Sequence, residues 1–121
     1  MTLRDYIRAY EAKTEPFVLE EGYTLLYAPH KGFITYKVAG DALILDHCCT
    51  VNDIHWIQRK GREVAREHHC RWLVTQTMRS PRAFLRQTHA HLDLTLSGYR
   101  PNGIWYWVFI EEVPPLLSAD K

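Results

Sequence analysis

Residues 46–55, DHCCTVNDIH, gather two carboxylates, two imidazoles and two thiols in ten positions. Three chemistries are open to such a set. A carboxylate or imidazole can take a proton from an amine, a thiolate beside a base can attack an electrophile, and thiolates with imidazoles can hold zinc. His68, His69 and Cys70 repeat the same residue types further on. Spacing sorts these options. Neighbours in a strand project to opposite faces, so His47 and Cys48 do not meet, whereas His47 and Cys49 share a face. A half-buried strand end accounts for the cysteines more simply than a nucleophile does. The two clusters fall at opposite ends of one expected helix, about 24 Å apart at 1.5 Å per residue, so no shared metal is expected.

The elements that must position these groups are legible from periodicity. Leu3, Tyr6, Ile7 and Tyr10 form the stripe of an amphipathic helix that ends before Pro16. YTLLYA (23–28), FITYKVA (33–39) and ALILDHCCTV (42–51) read as antiparallel strands divided by turn signals. From Asn52 to about His69 the period becomes helical, with Asn52 or Asp53 expected as cap. Gly61 falls within the apolar stripe, alongside Ile54, Ile57, Val64, Ala65 and His68, which implies close contact between helix and sheet. RWLVTQT (71–77) is a strand and SPRAFLRQTH (80–89) a short helix with Ser80 as cap and Pro81 in its first turn. HLDLTLSGY (91–99) and IWYWVFIEEV (104–113) form a hairpin, the second strand placing Trp105, Trp107 and Phe109 on one face. The step from residues 42–51 through a helix to 71–77 implies a parallel pair with a right-handed crossover. The fold class is therefore α/β with a central mixed sheet flanked by helices.

At 121 residues the chain is expected to form a single domain, residues 1–113, with 114–121 as a tail. No apolar run reaches membrane length, and the charged, amphipathic start is unlike a signal peptide, so a soluble cytoplasmic protein is expected, or a virion-associated one, with no membrane partner. Three cysteines, two of them adjacent, suit reduced thiols rather than a disulfide framework. Residues 58–100 carry nine basic side chains against three acidic ones. That excess permits a small basic nucleic-acid-binding module, but Arg59, Arg62 and Arg66 lie at helical spacing, where a solvated face explains them more simply.

The stretch GREVAREHHCRWLVTQTMRSPRAFLRQT (61–88), set in this element order, resembles the third helix, fifth strand and fourth helix of the GNAT superfamily of acyl-CoA-dependent N-acyltransferases. It looks most like the short, divergent GNAT-like proteins of bacteriophages. The resemblance implies acetyl-CoA as donor, with its pantetheine arm between residues 47–51 and 74–79. It further implies Asp46 or His47 as general base, and Cys49, Val51, Asn52, Arg79 and Ser80 as cofactor-binding positions. The acceptor would be a small amine or a protein. In the family a glycine-rich loop holds the pyrophosphate at the helix start. Here no glycine lies between Thr50 and Gly61, Asp53 brings a carboxylate to the phosphate position, and Gln87 stands where a tyrosine acid is usual. These departures imply weak or absent acetyl-CoA binding. They also imply an alternative role, as a non-catalytic relative with a phage or host protein partner.

Overall fold

A computed structural model of the chain describes residues 1–51, 53, 55–78, 81–82 and 90–114. The first helix, α1 (Leu3–Lys13), opens with a capping box: the Asp5 amide donates to Thr2 Oγ1, and the Thr2 amide donates to Asp5 Oδ2. Thr14 closes it, its amide and hydroxyl both donating to the Tyr10 carbonyl at 2.9 and 2.7 Å. This closure turns the chain inward, so that Glu15 is buried immediately after the helix.

Six strands follow: β1 (Thr24–Ala28), β2 (Gly32–Ala39), β3 (Ala42–Thr50), β4 (Trp72–Thr77), β5 (His91–Tyr99) and β6 (Trp105–Glu112). They form one sheet in the order β1-β2-β3-β4-β6-β5. Among the described residues only β3 and β4 run parallel, from Ala42↔Trp72 to Leu45↔Thr75, and the other pairs are antiparallel. The expected parallel step and terminal hairpin are thus present. The expected helix at 80–89 falls largely outside the described residues.

Helix α2 (Trp56–Glu67) joins β3 to β4. It starts later than its period implies, and the expected cap Asp53 does not cap it: His55 does, without a side-chain cap hydrogen bond, while Asn52 lies outside the described residues. The Asp53 carboxylate is engaged elsewhere, by Arg59 Nη2 at 2.7 Å and Lys31 Nζ at 3.4 Å. The helix ends in a Schellman motif, in which Cys70 N donates to Ala65 O, His69 N donates to Arg66 O, and His69 takes the left-handed conformation at φ 58°.

The helices pack on opposite faces of the sheet. Ile34, Leu43, Leu45 and Leu73 meet Trp56, Val64 and Ala65 of α2 on one face, while Tyr6 and Tyr10 of α1 meet Phe33 on the other. Gly61 explains how closely α2 approaches, because a Cβ there would stand 3.2 Å from methyl groups of both Leu45 and Leu73. The buried stripe differs in detail from its periodic reading. Gln58 is inside, its amide donating to Thr75 Oγ1 at 3.5 Å, whereas His68 is exposed against the Tyr36 ring.

Candidate active site

The register of β3 on β2 is broken at one point. Ile34 pairs with Cys48 and Tyr36 with Leu45, so Asp46 and His47 together stand opposite Thr35 alone. This is a β-bulge, which inserts a residue and turns two successive side chains toward one face. Leu43, Leu45 and Cys48 accordingly pack on the α2 side, and Asp46 and His47 share the other face with Cys49. Thr35 holds the bulge closed, its hydroxyl accepting from His47 N at 2.8 Å and donating to His47 O at 3.2 Å.

The bulge coincides with the parting of the parallel strands. Beyond Leu45↔Thr75 the β3–β4 ladder stops, and Asp46–Thr50 have no partners on β4 among the described residues. Asp46 and His47 therefore sit where a gap opens in the middle of the sheet.

Around them lies a cleft of about 580 Å³ lined by Glu15, Glu20, Tyr23, Gln76, Arg100 and Asn102 as well as Asp46 and His47. Two polar systems meet in it. In the first, Arg100 Nη2 donates to Asp46 Oδ1 at 2.6 Å and to Gln76 Oε1 at 2.5 Å, with the guanidinium over the Tyr106 ring. In the second, the Tyr10 hydroxyl lies 2.5 Å from His47 Nδ1 and 3.3 Å from Glu15 Oε2, while Asn102 Nδ2 donates to Glu15 Oε1 at 2.9 Å. The His47 ring packs edge-on against Tyr10 and Phe17. Among the described residues His47 Nε2 is buried without a hydrogen-bond partner, 3.7 Å from Asp46 Oδ2.

Burial, reinforced by the charges of Glu15 and Asp46, pushes the Tyr10 phenol far above its ordinary value. The same burial raises Tyr23, with Asp46 adding to the effect. Cys48 is pushed up to about 12, chiefly by desolvation, and Cys49 is raised for the same reason, so neither thiol is primed as a nucleophile.

With this geometry in place, two solved structures are informative. The ribosomal-protein-S18-alanine N-acetyltransferase from Escherichia coli matches 98% of this chain and 94% of its own length, at TM-score 0.57 and 11% identity. An acetyltransferase from Bacillus cereus ATCC 14579 matches 77% of this chain and 73% of its own, at TM-score 0.50 and 14% identity. The fold is that of the GNAT acetyltransferases. No family model and no curated protein matches the sequence.

On this GNAT fold the residues singled out from the sequence separate into groups. Asp46 and His47 come together in the cleft. Cys49 packs with the α1 cluster, and its carbonyl occupies the space a Gly32 side chain would need, 1.9 Å from that Cβ position. The Val51 amide donates to the Lys31 carbonyl at 3.4 Å. Asn52, Arg79, Ser80 and Gln87 lie outside the described residues. Cys48 and Cys70 adjoin the α2 core, away from His47. Among the described residues no three His, Cys, Asp or Glu side chains could hold a metal together, and no helix is long and apolar enough to cross a membrane.

Three members of the site were not legible as such. Tyr10 reads as one more apolar contact of α1, Glu15 as a residue after a helix, and Arg100 as part of the basic segment. Much of that segment is internally paired: Arg59 with Asp53, Lys60 with Glu63, Arg62 with Glu111, Arg71 with Glu112 and Arg100 with Asp46.

Proposed function

We propose that this protein is an acyl-CoA-dependent N-acyltransferase whose acceptor amine enters the cleft between Glu15, Asp46 and His47. The observation that carries the reading is the bulge, which sets a carboxylate and an imidazole side by side where β3 leaves β4. Bound acyl-CoA would supply the thioester carbonyl that accepts the amine. The chain's own part is to bind, orient and deprotonate that amine. Among the described lining residues Glu15, Glu20 and Asp46 outnumber the one cation, Arg100, so the cleft suits an ammonium group rather than an anion. Asp46 or His47 then serves as base.

The fit to the donor is uneven. The edge of β3 vacated by β4, ending at Cys49 and Val51, can receive an extended pantetheine arm. The seat for the diphosphate is poorer. The start of α2 carries no side-chain cap, which suits an anion, but the Asp53 carboxylate already holds Arg59 and Lys31, the cations an incoming diphosphate would need. Weak binding of acetyl-CoA follows, with the pantetheine contributing more than the nucleotide.

The experiment is release of CoA from acetyl-CoA in the presence of cationic primary amines, with His47→Ala alongside. Amine-dependent release that the variant abolishes is expected, and release independent of both the amine and His47 would overturn the reading. A second reading, a non-catalytic relative retained as a virion or host-interaction protein, is favoured by the same occupied diphosphate seat. Complete absence of acetyl-CoA binding would decide in its favour.

A further inference from the structure

Among the described residues, His47 has an unpartnered ring nitrogen on one side and a buried hydrogen-bond chain on the other. The chain runs from Nδ1 through the Tyr10 hydroxyl to Glu15 and on to Asn102 in the β5–β6 turn. Tyr10 has one proton and two candidate acceptors, and its raised pKa keeps that proton in place. If the proton goes to Nδ1, one oxygen of the buried Glu15 carboxylate loses its donor, and Nε2–H is left buried without an acceptor. If it goes to Glu15, Nδ1–H donates to the Tyr10 oxygen, both carboxylate oxygens have donors, and only the Nε2 lone pair is unmatched. An unmatched buried carboxylate oxygen is costlier than an unmatched ring nitrogen, and the hydrogen bond to the ionised group is the stronger.

We propose that Tyr10 and Glu15 are positioning residues that fix His47 as the Nδ1–H tautomer, leaving Nε2 as the base of the cleft. The proposal rests on the acyltransferase reading for the identity of the substrate, a primary ammonium ion. It assigns the base to His47 rather than Asp46, whose carboxylate is committed to Arg100. In the step itself one N–H bond of the ammonium breaks, the proton moves to Nε2, and the electron pair stays on the amine nitrogen. The imidazolium keeps its Nδ1–H on Tyr10, with its charge balanced by Glu15 Oε2, 3.8 Å from Nδ1, and by Asp46 Oδ2, 3.7 Å from Nε2. Asn102 anchors Glu15 from the turn that also carries Arg100, so both polar systems are held by one loop.

Long-range proton–nitrogen correlation spectra of the ¹⁵N-labelled full chain at neutral pH read the tautomer directly, with the His47 ring assigned by its loss in His47→Gln. The expected result is a protonated Nδ1 and a bare Nε2, with Tyr10→Phe moving the ring toward the Nε2–H form. A protonated Nε2 in the unmodified protein, or a tautomer indifferent to Tyr10→Phe, would overturn the assignment. Because these spectra need no acyl donor, they separate this proposal from the acyltransferase reading. An Nδ1–H ring in a protein that acetyl-CoA leaves unperturbed would sink the base role along with that reading, while the hydrogen-bond chain would stand.

Discussion

Thr35 Oγ1 and the main chain of His47 are joined by two hydrogen bonds, one to the amide and one to the carbonyl. That single side chain substitutes for the ladder partners the bulge removes from β3. Thr35→Val keeps shape but leaves two buried backbone groups unmatched, and at roughly 1–3 kcal/mol each the expected loss is about 2–6 kcal/mol. Urea unfolding checks it, and Thr35→Ser should recover most of the stability. Full stability in Thr35→Val would mean that the bulge is held by its other contacts.

The Asp46–Arg100 pair should behave as a buried ion pair. Arg100→Met strands a carboxylate whose side chain is only 2% exposed, and the expected cost is about 3 kcal/mol. The double variant Asp46→Asn/Arg100→Met removes that stranded charge, so part of the loss should return. Equal stability in the single and double variants would argue that Arg100 acts through Gln76 and Tyr106 instead.

Asp53 makes stability depend on pH in the acid range. The hydrogen bond and charge of Arg59, with Lys31 second, hold its carboxyl down to about 2 against an ordinary 3.8. A depressed carboxyl stabilises the fold above its unfolded value, and the contribution drains away as pH falls toward 2. The unfolding midpoint of the native chain should therefore drop between pH 4 and 2 by more than that of Asp53→Asn. Superimposable acid profiles would show that the pair contributes nothing.

Gly61→Ala should destabilise, against the usual helix trend. Alanine gains about 1 kcal/mol of helix propensity over glycine. The new methyl, however, presses on Leu45 and Leu73, both almost fully buried, and overpacking of this kind costs about 1–3 kcal/mol. A net loss of about 1 kcal/mol in chemical unfolding is expected, and a net gain would mean that the two leucines can yield.

The architecture was legible because the hydrophobic pattern changes along the chain, from a short, nearly continuous apolar strand run at the start of residues 42–51 to a helical period beyond them and back to a strand run at residue 71. The same rule misplaced the start of α2, since Asn52 and Asp53 are good capping types and nothing local reveals that Lys31 and Arg59 claim the Asp53 carboxylate. It also hid the site's defining feature. Strict alternation sends Asp46 and His47 to opposite faces, and only the register against Thr35 brings them to one. Tyr10, Glu15 and Arg100 reach His47 and Asp46 from distant parts of the chain, a convergence that sequence spacing does not encode. Gly61 is the opposite case: a glycine costs a helix stability, so its place on the apolar stripe already signalled that the sheet leaves no room for a side chain there.

The most direct test is an NMR titration of the ¹⁵N-labelled chain with acetyl-CoA into the millimolar range. Saturable shifts centred on residues 46–51 and 75–77, where β3 and β4 part, are what an acyltransferase with a pantetheine-dominated grip requires. No shifts at millimolar acetyl-CoA, or shifts confined to Lys31 and Arg59 and reproduced by inorganic diphosphate alone, would contradict it.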